Sequence, residues 1–344
     1  MTDTKCTVTI AGLGTFLPGK AVENKQLAEI FNINKDWIEL FIGSKRRYFA
    51  VDLITQETTH TLAEICAYAA KEAIQNSGYS IQDIEFIVMA TGTPDYLMPA
   101  TVNLVAEKLG INLVPTYQLQ SGCSGAVQCL DVAQQFLLSG SYKVGLVIGG
   151  DICSRFADFN RDFNNMPSGE LVNYVLFGDG AGAAVLTSEE NKTGFTIEYV
   201  LNQLTGLDKE PGQILNWFAV PPSGDTKLPQ AVKEDYKAIE KAVPVLAKEI
   251  LESLMDAVDW ELYDVDFILP PQLSGNMSKR IVEFMDIPVE KAVHCVTETG
   301  NVANALPFIQ LQNLESMMHQ GQRAFCITVE SSKWIKGGLA LSRV

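Results

Sequence analysis

Short apolar runs rich in β-branched residues alternate along this chain with segments of helical periodicity. TVTIAGLG near the start is followed by LAEICAYAAKEAIQNSG, then IEFIVMATG, AVQCLDVAQQFLLSG and YKVGLVIGG. Strand-length runs interleaved with helix-length ones predict an α/β fold rather than a sandwich or a bundle. The same order returns after residue 240, with a helix in VPVLAKEILESLMDAV, a strand in VDFILPP, a strand in AVHCV, a helix in ANALPFIQLQNLESMMHQG and a strand in RAFCITVE.

The two halves match each other. Asp83-Ile84-Glu85-Phe86-Ile87-Val88 falls on Asp264-Val265-Asp266-Phe267-Ile268-Leu269 and, at nearly the same separation, Gly122-Cys123 falls on Gly300-Asn301. Each of these Gly pairs precedes a helix, the first closing at Ser139-Gly140 and the second at Gln320-Gly321. Such self-similarity reads as a duplication, divided here into residues 1–187 and 188–344. Cys123 and Asn301 are then expected to face one another across a pseudo-dyad. The stretch from about 203 to 232, with GLDKEPGQ and VPPSGDTKLP, predicts a loop over the mouth of the site.

Composition narrows the partners. With 47% hydrophobic and 19% charged residues in 344, the chain is an ordinary globular protein of enzyme size. No apolar run is long enough to span a membrane and the first residues lack the pattern of a secretory signal, so a cytoplasmic protein is expected. A net charge of −15 disfavours nucleic acid and anionic membrane surfaces. Seven cysteines, odd in number, scattered and without metal-ligand spacing, predict neither a disulfide framework nor a metal site, and no cofactor is expected.

Among those cysteines, Cys123 in QLQSGCSGAVQCLDVAQQFL stands between small residues at the start of an amphipathic helix. Free N–H groups at a helix start favour a thiolate and can hold the oxyanion of a thioester under attack. A small core residue at a tight turn is the alternative for Cys123. Cys129, on the same helix between apolar neighbours, reads as packing. The glycines of GDGAG precede a strand-like AAVL instead of a helix, which leaves no helix N-terminus for a dinucleotide.

SGCSGAVQCLDVAQQFLLSGSYKVGLVIGGD and VLFGDGAGAAVL resemble the nucleophile helix and glycine-rich core hairpin of ketoacyl synthase III proteins of the thiolase superfamily. The resemblance extends from IAGLGTFLPGKAVEN through DWIELFIGSKRRYF to GGLALSRV, and so covers essentially the whole chain. It implies a thiolase-like five-layered αβαβα fold, a homodimer, and transfer of an acyl group from acyl-CoA or acyl-carrier protein onto Cys123. It also implies that Asn301 donates hydrogen bonds to a substrate carbonyl or enolate. Trp37 matches the tryptophan that stacks on the CoA adenine, with Arg155 or Arg161 on its other side, and Met98 matches the residue sent across the dimer interface to bound the partner's acyl pocket. Lys45-Arg46-Arg47 and Lys279-Arg280 are basic clusters suited to CoA phosphates or an acidic carrier, or are ordinary charged faces.

Two departures stand out. Where such proteins read Pro-His-Gln-Ala-Asn, this chain reads Pro270-Pro271-Gln272-Leu273-Ser274, so Pro271 replaces the family's catalytic histidine and Gln272 is the neighbouring polar candidate for substrate contact. Ser331-Ser332-Lys333-Trp334 replaces a glycine-rich loop, and its bulk is expected to crowd the oxyanion site. Lys333 is a candidate base or fixed positive charge there, with a solvated surface lysine as the alternative. His60 and His319 read as solvated, His294 as a buried structural histidine. These features predict an acyltransferase of specialised-metabolite or fatty-acid-related biosynthesis that forms a C–O, C–N or C–C bond. The alternatives are a decarboxylative 3-oxoacyl synthase in which Asn301, Gln272 or Lys333 replaces the lost donor, and a degenerate subunit supporting an active homologue.

Overall fold

The computed structural model describes residues 7–159, 161–190, 192–216 and 232–344. The first half runs β1 (Thr9–Phe16), β2 (Val22–Glu23), α1 (Asn24–Phe31), α2 (Lys35–Phe41), β3 (Arg46–Arg47) and α3 (Leu62–Ser77). It continues through β4 (Phe86–Thr91), α4 (Thr101–Leu109), β5 (Thr116–Gln120), α5 (Gly125–Leu138), β6 (Val144–Ile152), α6 (Ser168–Leu176) and β7 (Asp179–Thr187). The second half begins with β8 (Phe195–Leu204), β9 (Gln213–Leu215), β10 (Val232–Glu234), α7 (Tyr236–Val258), β11 (Phe267–Leu269) and α8 (Gly275–Phe284). It ends with α9 (Val296–Thr299), α10 (Leu306–Glu315), β12 (Arg323–Glu330) and β13 (Ile335–Arg343).

Nine strands form one sheet in the order β11-β12-β13-β8-β1-β7-β6-β4-β5. Its two parts meet at β1 and β8 through only two residue pairs, Thr9↔Thr196 and Ile10↔Phe195. The parts are thereby free to fold over α5 and α10, which lie between them. The alternation of side chains along each strand explains the layers. Phe86, Val88 and Ala90 of β4 join α5 and α10 in a central core, while Ile87 and Met89 pack outward against α3 and α4. In the second half, Ala324 and Cys326 of β12 face the same centre, and Phe325 and Ile327 face α7 and α8. Helix, sheet, helix, sheet and helix make the five-layered α/β arrangement of a thiolase-like fold. Strands buried on both faces read as continuous apolar runs, which is why they were legible.

Local structure departs from the sequence pattern in three places. Helix α7 starts at Tyr236, upstream of the VPVL run, because the Asp235 side chain caps it by accepting from the Ala238 N–H at 3.0 Å. The AVHCV segment is no strand and touches the sheet only by a bridge of Ala292 to Ile268. The 203–232 stretch contains β9 and runs into its antiparallel partner β10, and residues 217–231 of the expected loop lie outside the described residues. Among the described residues no helix is long and apolar enough to cross a membrane.

Candidate active site

Cys123 and Ser124 are the central residues of a tight turn closed by the Gly125 N–H donating to the Gly122 carbonyl at 2.8 Å. This turn delivers the chain from the edge of the sheet into α5 and leaves Cys123 half-buried in the wall of a cavity of about 450 Å³. Asn301 lines the same cavity from the second half, so the two residues at matching positions of the halves do come together. Leu176, Phe177, Leu215, Val243, Leu273 and Val329 supply much of its apolar wall. A second hollow, of about 20 Å³, lies between Cys123, Pro271, Gln272 and Asn301.

The Asn301 turn is held rigidly. Gly300 has φ 69°, a conformation that disfavours side chains, and a Cβ there would lie 2.8 Å from Cγ of Arg47. The Asn301 backbone N–H donates to the Leu176 carbonyl at 3.0 Å, and its own carbonyl accepts from the Gly178 N–H at 3.0 Å. Its side-chain Oδ1 accepts from the Ala303 N–H at 3.0 Å and Nδ2 donates to the Leu273 carbonyl at 3.2 Å. One amide hydrogen is left for a ligand.

Asp151, at the end of β6, ties the two turns together. Its buried carboxylate accepts from Thr91, Gly92 and Thr93 in the first half and from both the backbone and side-chain nitrogens of Asn304 in the second. Asn304 Nδ2 also donates to the Ser121 carbonyl at 2.8 Å, two residues before Cys123. Even with these donors, burial pushes the Asp151 carboxyl above its ordinary range.

The electrostatics of Cys123 differ from the expectation of a thiolate stabilised at a helix start. Burial raises the thiol well above its usual value, and the carboxylates of Glu330, Asp151 and Glu234 raise it further. Glu330, only 1% exposed at the end of β12, lies directly behind Gly122, where an added Cβ would stand 2.7 and 2.8 Å from its two oxygens. Those oxygens accept from the Ser124 and Ser332 N–H groups, each at 3.3 Å, and so occupy donors that were expected to serve an oxyanion.

Several sequence expectations need correction. Lys333 is exposed and its Nζ donates to the Lys209 carbonyl at 2.6 Å, away from the cavity, so it is not placed as a base. Trp334 does not crowd the site: it turns into the outer core of the second half and its indole N–H donates to the Glu210 carbonyl. The Gln272 amide is fully engaged, accepting from the Cys295 and Val296 N–H groups and donating to the Pro270 carbonyl, with His294 beside it at 3.3 Å. Arg47 is 0% exposed and bonds Val175, Asn24 and Ser44, so the Lys45-Arg46-Arg47 cluster does not present three charges to phosphates. Arg155 is committed to Asp95 and to the Thr93 and Pro94 carbonyls, whereas Arg161 lines the cavity paired with Glu170. Trp37 packs on Phe41 and is not part of the cavity wall. Met98 is 86% exposed.

The carboxylates were missed. Glu330 ends an apolar strand and Glu234 lies just past the stretch read as loop; only the oddity of an acidic residue closing RAFCITVE hinted at the first.

A family model described as 3-oxoacyl-[acyl-carrier-protein (ACP)] synthase III matches residues 117–203, the span that holds Cys123 and Asp151. The β-ketoacyl-[acyl-carrier-protein] synthase III of Syntrophomonas wolfei is 31% identical over 300 residues, 87% of this chain and 86% of that protein. This chain belongs to the ketoacyl synthase III family. A solved member-like structure, AbyA1, described as a tetronic acid condensing enzyme, is 45% identical with a TM-score of 0.93, covering 98% of this chain and all of the other. The Pseudomonas aeruginosa ketoacyl synthase III, FabH, shares the fold at 22% identity and a TM-score of 0.82, covering 98% of each chain. The protein is accordingly a transferase of the condensing-enzyme family.

Proposed function

We propose that this ketoacyl synthase III protein accepts an acyl group from acyl-CoA or acyl-carrier protein onto Cys123 and passes it to an acceptor without decarboxylation. The observation that carries this reading is the set of groups around Cys123: the Asn301 amide and the Pro271 ring share its small hollow, and among the described residues no imidazole lines either cavity. His294 faces Gln272, His60 is half-buried against Phe16 and Tyr68, and His319 is exposed. Thioester exchange needs a nucleophile and a donor for the oxyanion, roles that fall to Cys123 and the spare Asn301 hydrogen. Decarboxylation of a malonyl thioester needs a second donor at the developing enolate, and removal of one such donor costs about a hundredfold to a thousandfold.

The 45% identity to a tetronic acid condensing enzyme supports an acceptor that brings its own carbon or oxygen nucleophile, and thus a specialised-metabolite role. We assign one reacting group to each half, Cys123 to 1–187 and Asn301 to 188–344. The exposed edge of β5, together with exposed Leu97 and Met98, supports a two-fold dimer. Sedimentation should then give about twice the 37.7 kDa chain mass. The function is tested by intact mass after mixing with a panel of acyl-CoAs. An adduct that forms on the wild type and not on Cys123→Ala supports it. Acylation that persists in Cys123→Ala removes Cys123 from the mechanism, and absence of any adduct together with copurification of a homologue favours a supporting subunit.

A further inference from the structure

We propose that Glu234 is the catalytic residue that moves the proton when Cys123 is emptied, taking it from a hydroxyl or an activated methylene of the acceptor. The proposal rests on Cys123 being the acyl carrier. Glu234 closes β10, directly opposite Gln213 of β9, and both residues line the cavity that holds Cys123. Its carboxyl is half-buried there and receives a hydrogen bond from Gln213 Nε2, but among the described residues no lysine or arginine pairs with it.

The other acids around the cavity are already committed. Asp151 is held by donors from both halves, Glu170 is paired with Arg161, and Glu330 lies behind Gly122 and does not line the cavity. Asp158 also faces the cavity and has an interaction of its own. Cys153, Tyr174 and Tyr236 are the further titratable groups of the wall, and burial raises Cys153 and Tyr236 so that they stay protonated at neutral pH. Burial also raises the Glu234 carboxyl to about 7, where the acid and its conjugate base are both populated.

The Glu234 carboxylate takes a proton from the acceptor H–X as X attacks the carbonyl carbon of the acyl-cysteine. The C–X bond forms and the C–Sγ bond breaks. The departing Cys123 thiolate, disfavoured by Glu330 behind it, takes the proton back from the Glu234 carboxylic acid. The acceptor ends acylated, the thiol and the carboxylate are regenerated, and nothing is oxidised or reduced.

The test uses the full chain loaded with acyl-CoA and freed of excess donor. Loss of the Cys123 adduct is followed by intact mass from about pH 5 to about pH 9, first in buffer and then with acetoacetyl-N-acetylcysteamine, whose methylene is acidic. Wild-type discharge should rise with pH through about 7. Glu234→Gln should slow it about a hundredfold or more and remove that rise, while Glu234→Asp, which keeps the acid one methylene shorter, should retain part of both. Adduct that forms on these variants and discharges at the wild-type rate with the wild-type pH profile would overturn the role of Glu234 alone. A wild type that never forms the adduct would instead overturn the acyl-carrier reading on which it rests.

Discussion

The Gly122-Cys123 turn and the Gly300-Asn301 turn occupy matching positions in the two halves, yet the side chains packed behind them are of opposite kinds, an acid and a base. Behind Gly122 lies the buried carboxyl of Glu330, and behind Gly300 lies the methylene stem of Arg47, whose side chain is buried. Burial raises the Glu330 carboxyl and lowers Arg47 to about 10, so the guanidinium still keeps its charge at neutral pH. The consequence differs at each turn. Arg47 acts on its surroundings by hydrogen bonds, to the Val175 and Ser44 carbonyls and to Asn24, and so fixes the backbone on which the Asn301 amide rides. At Cys123 burial is the larger cause of the raised thiol, and the Glu330 charge adds to it. A duplicated fold thus supports one turn held by hydrogen bonds and one whose thiol is kept protonated.

The largest expected effect of breaking this asymmetry is at Arg47. Arg47→Met leaves the Asn24 and Val175 oxygens without their donor in a buried setting, each worth about 1 to 3 kcal/mol. Thermal unfolding should fall by several degrees, and acyl loading should fall with it because Asn301 loses its support. Unchanged Tm would show that the buried guanidinium does not hold the turn.

Glu330→Gln should act on reactivity more than on stability. Removing a negative charge beside a thiol lowers the thiol pKa, and each unit is about a tenfold gain in thiolate at pH values below it. Iodoacetamide alkylation of Cys123 near neutral pH should therefore quicken by about tenfold. Alkylation at the wild-type rate would show that Glu330 exerts no field on the sulfur.

The smallest effect concerns the pH dependence of stability. Glu234 has an ordinary value of 4.5 and is raised to about 7 in the fold. Across that interval the folded state holds more protons at this group than the unfolded state, so its contribution to stability declines as pH rises. Glu234→Gln should flatten the Tm profile between those limits. An identical slope in wild type and variant would show that the raised value does not hold.

What the sequence made legible were features carried by local pattern. Apolar runs marked the strands buried on both faces, small residues around Cys123 marked a turn where a backbone comes close, and the repeat of Gly122-Cys123 in Gly300-Asn301 placed both residues in one cavity. What it hid depends on which way a side chain turns after folding. Arg47 lay in a run of three cations and looked solvated, Lys333 was open between a site base and a surface lysine, and Gln272 looked free beside Pro271. Each is decided by long-range partners: Asn24 and Val175 for the first, Lys209 for the second, Cys295 and Val296 for the third. Glu330 and Glu234 acquire their character only when strands distant in sequence enclose them.

Two rates on one preparation separate acyl transfer from decarboxylative condensation: acylation of Cys123 by acyl-CoA, read by intact mass, and release of labelled carbon dioxide from malonyl-CoA or malonyl-carrier protein. An adduct on Cys123 and decarboxylation slower than loading by about a hundredfold or more are expected, since Gln272, Gln310 and Thr328 in the hollow beside Pro271 are already engaged and Asn301 keeps a spare hydrogen. Carbon dioxide released as fast as Cys123 is loaded would contradict it.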